Sequence, residues 1–138
     1  MLDAPYAVLT TLGRDSYPQS TMVAFLAEDG PVRISLNTTR QKTRNLMAQP
    51  RATLLIPDPA NPYRTLEIRG DVEITPDDDY SFARRVGQKY GGTDFRSADR
   101  PGESRVGSSC AQSGSTSPTS GRRRASSRRP PRSWFATV

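Results

Sequence analysis

The stretch YRTLEIRGDVEIT, residues 63–75, limits the fold more than any other part of the chain. Leu66, Ile68, Val72 and Ile74 alternate with Glu67, Arg69, Asp71 and Glu73. A period of two separates an apolar face from a charged one only on an extended strand. The stretch therefore needs a core on one side and solvent or a polar neighbour on the other. Gly70 in its middle predicts a bulge or a sharp bend. The charged face, alternating in sign, reads as cross-strand pairs and not as acid/base catalysts.

Other segments read the same way. YAVLTTL (6–12) is rich in β-branched residues, and GRDSYP (13–18) is a turn cluster. QSTMVAFLA (19–27) and PVRISLN (31–37), separated by EDG, complete a predicted three-stranded antiparallel meander. A helix is expected from Arg40 to Ala48, stopped before Pro50, followed by a strand at 51–57 and a Pro-rich loop at 58–62. PDDDYSFARRVGQKY (76–90) reads as a second helix, with Asp77, Asp78 and Asp79 at its positive end and Gly91-Gly92 as its stop. Short strands, few helices and antiparallel links predict a mainly β chain, a small barrel or curled sheet.

The 33% hydrophobic content is low for a globular domain, and the deficit is local. Residues 1–106 hold 14 cations and 14 carboxylates, so the +6 net charge comes entirely from Arg122, Arg123, Arg124, Arg128, Arg129 and Arg132. From Gly107 onward the chain is mostly Ser, Arg, Pro, Gly and Thr. The division expected is a domain over 1–106 and a disordered tail over 107–138. The tail also reads as a frameshift product. Translated from the third base of each codon, its start can read Val-Val-Val-Arg-Pro-Val-Arg-Val-Asn-Val, a plausible closing strand. A single inserted or deleted base near codon 106 would restore it.

There is no histidine and one cysteine, Cys110. That excludes His-based triads, His-containing zinc sites and an intrachain disulfide. The three Asp are better explained by a helix start than by a metal, and Cys110 lacks a base to activate it. No apolar run is long enough to span a membrane and no signal peptide is evident, so the location expected is cytoplasmic.

One stretch calls for an anion. TTRQKTRNL (38–46) puts Arg40, Lys42 and Arg44 at a helix start, where the backbone already carries partial positive charge. By itself it reads as a solvated basic surface with Thr38 or Thr39 as a cap. Arg40 and Arg44 share a face and Lys42 points elsewhere, which leaves either Lys42 or the arginine pair as an anion site.

AVLTTLGRDSYPQSTMV, LNTTRQKTRNLMAQPRATLLI and NPYRTLEIRGDVEIT, in this order and at these spacings, resemble the pyridoxamine 5'-phosphate oxidase-like proteins. The resemblance is greatest to their actinobacterial branch, which uses the deazaflavin coenzyme F-420, and it covers residues 2–106. It implies an FMN-binding-type split β-barrel that forms a homodimer, with the cofactor in a groove between subunits. Relatives usually begin with a helix, where this chain has only MLDAP, and end on a strand like the frame-shifted one, so the barrel expected here is incomplete. Where relatives often carry Trp in the second strand, this chain has Ala24.

The resemblance also assigns the cofactor-binding residues. Thr38 and Thr39 would give hydroxyl and N–H donors, Arg40, Lys42 and Arg44 charge, and Asn45 a polar contact to the cofactor's phosphate. Gln19, Ser20, Thr21 and Met22 would run along the ring, and Arg64 would meet the cofactor or the subunit interface. No catalytic side chain and no metal ligand is implied. The function expected is reduction of a small electron-poor acceptor by reduced F-420. The alternatives are an FMN-binding oxidase or flavin reductase, a non-functional truncated product, and a nucleic-acid binder acting through the Arg-rich tail.

Overall fold

The computed structural model describes residues 2–28 and 30–110, and the backbone of 135–137. Among the described residues, nine strands and three helices follow in the order β1 (Ala7–Leu12), β2 (Pro18–Val23), β3 (Phe25–Ala27), β4 (Val32–Asn37), α1 (Gln41–Ala48), β5 (Arg51–Asp58), β6 (Asn61–Asp71), β7 (Glu73–Pro76), α2 (Ser81–Lys89), α3 (Phe95–Ala98), β8 (Arg105–Cys110) and β9 (Phe135–Thr137). They form two antiparallel sheets, β2-β1-β5-β6-β9 and β3-β4-β8-β7.

The sheets enclose a single core. Leu9, Phe25, Ile34, Leu36, Leu54, Ile56 and Ile68 are all essentially inaccessible to solvent, and Leu46 of α1 joins them. The apolar face of 63–75 is the one that points inward, as its alternation requires.

Two expected strands are each divided. Residues 19–27 break at Ala24 and residues 63–75 at Val72. At each break the chain leaves the five-stranded sheet and enters the four-stranded one. Gly70, at φ 149°, precedes the second break, so the bend read from that glycine is present. The expected three-stranded meander is therefore two antiparallel pairs in different sheets, β1 with β2 and β3 with β4.

The domain boundary drawn at residue 107 also moves. β8 runs from Arg105 through Gly107, Ser108 and Ser109 to Cys110, paired with β4 on one side and β7 on the other. A strand flanked on both sides obtains its backbone hydrogen bonds whatever its side chains, and small residues suit the space under α2. A Cβ at Gly107 would lie 3.2 Å from the Phe82 ring. The remaining tail readings, over residues 111–134, lie outside the described residues.

Helix α2 starts later than the sequence predicts. Pro76 ends β7, and Tyr80 is the N-cap, in the left-handed region at φ 59°. Asp77 acts as the cap, its two carboxylate oxygens accepting the N–H groups of Phe82 and Ala83 at 3.0 and 2.9 Å. Of the charged face of 63–75, Asp71 pairs across strands with Arg51, while Arg69 pairs with Glu67 on its own strand.

Candidate functional site: a basic groove beside helix α1

Helix α1 lies against the β1–β2 hairpin near its turn. Asn45 is the main link: its Nδ2 donates to Thr11 Oγ1 and to Gln19 Oε1, both at 3.1 Å, and its Oδ1 accepts from Gln41 Nε2 at 2.9 Å. Asn45 and Thr11 are buried, so this small network substitutes for water that cannot reach them. One turn nearer the helix start, Lys42 Nζ donates to Thr21 Oγ1 at 3.2 Å. Partial burial, and then the charge of Arg40, hold the Lys42 ammonium below its ordinary value of 10.5. A desolvated ammonium beside a second cation gains from any anion placed against it.

Beyond Gln19 the helix and the hairpin separate, and two adjoining cavities of about 580 and 410 Å³ open between them. Both are bounded by Gly13, Arg14, Gln41 and Asn45; Arg44 adds to the larger and Tyr17 to the smaller. Among the described residues, Arg14, Arg40 and Arg44 form no hydrogen bond through their side chains and no ion pair. Most other cations have such a partner; Arg40 lies in the field of Glu103, while Arg14 and Arg44 border the cavity without one.

Next to the groove, a polar network ties the β4–α1 turn to the segment before β8. Asp99 accepts from Arg105 Nε and Nη2 at 2.6 and 2.8 Å and from Asn37 Nδ2 at 3.0 Å. Asn37 Nδ2 also donates to Glu103, and Tyr80 Oη donates to Asp99 at 3.2 Å.

The pyridoxamine 5'-phosphate oxidase family model matches residues 1–135. The chain belongs to that family. Among solved structures, an F-420 reductase is 35% identical, with a TM-score of 0.67 over 78% of this chain and 86% of that one. A conserved hypothetical protein of Mycobacterium tuberculosis is 24% identical, with a TM-score of 0.60 over 78% and 72%. A pyridoxamine 5'-phosphate oxidase-related, FMN-binding protein of Nostoc punctiforme is 18% identical, with a TM-score of 0.54 over 79% and 72%. The last two are likenesses of fold. No match was found among curated proteins. The split β-barrel expected from the sequence is thus this chain's fold, and the family includes oxidoreductases.

Within this pyridoxamine 5'-phosphate oxidase-like barrel, the residues singled out by sequence fall into separate places. Gln19, Thr21, Lys42 and Asn45 come together between α1 and β2, and Arg44 borders the cavity. Arg40 is the N-cap residue of α1 but makes no side-chain cap bond, so neither Thr38 nor Thr39 caps the helix. Those two threonines face the segment before β8. Thr38 bonds Ser104 through its N–H and its hydroxyl, while Thr39 donates its N–H to Asn37 Oδ1 and its hydroxyl to Asn37 and Glu103. Ser20 and Met22 lie on the opposite face of β2, with Ser20 bonded to Thr10 at 2.8 Å and Met22 exposed. Arg64 pairs with Asp58 at 3.8 Å, three strands from β2 in the sheet order.

Arg14, Tyr17 and Gln41 were not singled out by sequence reasoning. The signal for Arg14 was its place in the turn cluster GRDSYP, a cation at a hairpin tip whose facing partner no local pattern could show.

Proposed function

We propose that this family member is an oxidoreductase, cytoplasmic and homodimeric, that uses reduced coenzyme F-420 to reduce a small electron-poor acceptor. The observation that carries the reading is the groove beside α1, where unpaired cations border a cavity, in a chain 35% identical to an F-420 reductase. Lys42 would hold the cofactor's phosphate, with Arg40 adding charge and Thr21 a hydroxyl. The donor set suits a phosphate: an ammonium depressed by burial, a neighbouring guanidinium, and a helix start left uncapped by any side chain. Thr38 and Thr39 act here as anchors of the turn that presents Arg40.

When bound, the reduced deazaflavin supplies the hydride, which explains why the chain needs no nucleophile or acid of its own. The chain's part is to bind and orient. Asn45 fixes α1 to β1 and β2, which sets the height of Lys42 above Thr21. Gln19, held by Asn45, keeps its side chain on the cofactor side of β2. The homodimer is supported by the outer face of the five-stranded sheet. There Val8, Leu12, Met22, Leu55 and Pro57 stand half-buried or exposed on one side, an apolar strip that suits a second copy.

FMN is the second reading, because it also carries a phosphate that Lys42 could hold. Fluorescence titration of the purified chain with F-420 and FMN in parallel decides between them. Micromolar binding of F-420 and weaker binding of FMN is the expected result. Binding of FMN alone moves the protein to flavin chemistry, and a folded chain that binds neither removes the cofactor reading.

A further inference from the structure

We infer that Glu103 makes the groove beside α1 selective for a phosphodiester over a phosphomonoester, by setting a fixed negative charge against the cations at the start of the helix. The inference rests on the reading of that groove as a phosphate site, and deepens it by naming the class of phosphate.

Glu103 is held where its charge counts. Its Oε1 accepts the Thr39 hydroxyl at 3.0 Å, and its Oε2 accepts from Asn37 Nδ2 at 2.8 Å and from the Arg100 N–H at 2.9 Å. Asn37 ends β4, and Thr39 directly precedes Arg40, the N-cap residue of α1. The carboxylate is therefore clamped against the turn that presents Arg40 and Lys42. The bond from the Arg100 N–H, then those from Asn37 and Thr39, and last the charge of Arg40 outweigh burial and hold the carboxyl below its usual range. It is ionised at neutral pH, and three donors keep it from swinging aside when an anion arrives.

Arg40 stands between opposite influences. Its charge disfavours the Lys42 ammonium and favours the Glu103 carboxylate. Among the described residues Arg40 makes no direct ion pair, so Glu103 offsets its charge without occupying its N–H groups. The other carboxylate on Asn37 is different: Asp99 is neutralised by Arg105. Lys42, Arg40 and Glu103 together leave one net positive charge.

That balance suits one kind of phosphate better than the other. A diester carries a single negative charge. A monoester carries about 1.5 to 2 at pH 7, because its second ionisation lies near pH 6. Both gain from Lys42 and Arg40, but Glu103 repels each in proportion to its charge. Across partly solvated space, a unit charge a few ångströms away changes affinity by about twofold per ligand charge. The cofactors divide on this property. The phosphate of F-420 is a diester, linking the deazaflavin side to the tail, whereas FMN ends in a monoester.

The test is a set of fluorescence titrations on the full chain with FMN, with cyclic FMN, in which the phosphate is closed into a diester on the same flavin, and with F-420. The first two ligands isolate the phosphate charge from ring and tail. Glu103→Gln removes the carboxylate charge, while its Oε1 can still accept from Asn37 and Arg100 and its amide can donate to Thr39 Oγ1. The expected result is a gain of about fourfold for FMN and about twofold for cyclic FMN and F-420. Thr39→Val is the control for a purely structural role: it cuts a bond to Glu103 and leaves the charge, so the ratio of FMN to cyclic FMN affinity should stay at the wild-type value. Equal gains for monoester and diester, no gain, or a ratio that moves as far with Thr39→Val would overturn selectivity by Glu103 and leave the F-420 reading intact. A wild-type chain that binds the two flavins but not F-420 would overturn the F-420 reading, and the flavin pair would still decide the role of Glu103. A folded chain that binds none of the three would overturn both.

Discussion

Asp99 receives two hydrogen bonds from Arg105, at 2.6 Å from Nε and 2.8 Å from Nη2, and the pair is nearly sealed from solvent. Burial would push the Asp99 carboxyl up. The bonds from Arg105, Asn37 and Tyr80, with the charge of Arg105, outweigh burial and hold it below the usual carboxylate range. The pair joins the start of β8 to the end of β4 through Asn37.

Removing that carboxylate leaves a buried guanidinium without its anion. Asp99→Ala is therefore expected to cost about 3 kcal/mol of stability, read by chemical denaturation at neutral pH. The same contact predicts acid sensitivity. A carboxyl depressed in the folded state stabilises fully above its unfolded value, and that contribution fades as pH falls through the carboxylate range towards the native value. Wild type should lose stability on acidification below about pH 4, and Asp99→Ala should lose less over the same interval. Equal slopes would show that other carboxylates set the acid limit.

The affinity of any phosphate ligand should depend on Lys42 in alkaline solution. Its ammonium titrates below 10.5, because burial and Arg40 disfavour the charge. While Lys42 is protonated the affinity is constant; as pH rises through the lowered value, the anion loses its main partner and dissociates. F-420 titrations should show this fall at a lower pH than an ordinary lysine would give. Lys42→Met should bind weakly at neutral pH and lack the alkaline fall altogether.

Asn45→Ala should separate α1 from the hairpin. Thr11 and Gln19 both lose a partner, and Thr11 is buried. A cost of about 1–3 kcal/mol is expected, with weaker F-420 binding because Lys42 loses its fixed position. Asn45→Asp retains the acceptor for Gln41 but places a negative charge beside the groove, so its effect on binding should exceed its effect on stability.

Ser16→Gly should stabilise the chain. Ser16 occupies the left-handed region, which glycine enters without the Cβ penalty of about 1–2 kcal/mol. Part of that gain is returned in the entropy of a freer unfolded chain, so a net rise of about 0.5 kcal/mol is expected, measured as an increase in Tm.

The legible parts of this chain were those with a short-range period. The alternation of 63–75 specified which residues are buried, and it stays in phase across the break at Val72 because one core serves both sheets. The break itself was less legible, since only Gly70 marks it. Helix α3 passed unread: it is one turn long, and its only signal was Asp94, whose side chain accepts the Arg96 N–H. β8 was invisible from Gly107 onward because Gly and Ser have no strand preference, and what makes them a strand is the pair of neighbours on either side. For the site, the cations of α1 could be read as an anion-binding group. That Lys42 reaches Thr21, Arg44 borders the hairpin cavity and Arg40 only lies in the field of Glu103 could not, because that depends on which way each side chain leaves the helix.

The position of β8 also bears on how a nascent chain reaches this structure. β1, β2, β5 and β6 are neighbours drawn from residues 7–71, so four of the five strands of their sheet can assemble before β9 is made. β4 cannot complete its pairing so early: Val32 waits for Cys110, and Asn37 for Arg105. Until those residues leave the ribosome, one edge of an apolar strand stays open to any passing strand. Synthesis, and not only the intrinsic rate of closing so long a loop, sets the moment when that edge is covered.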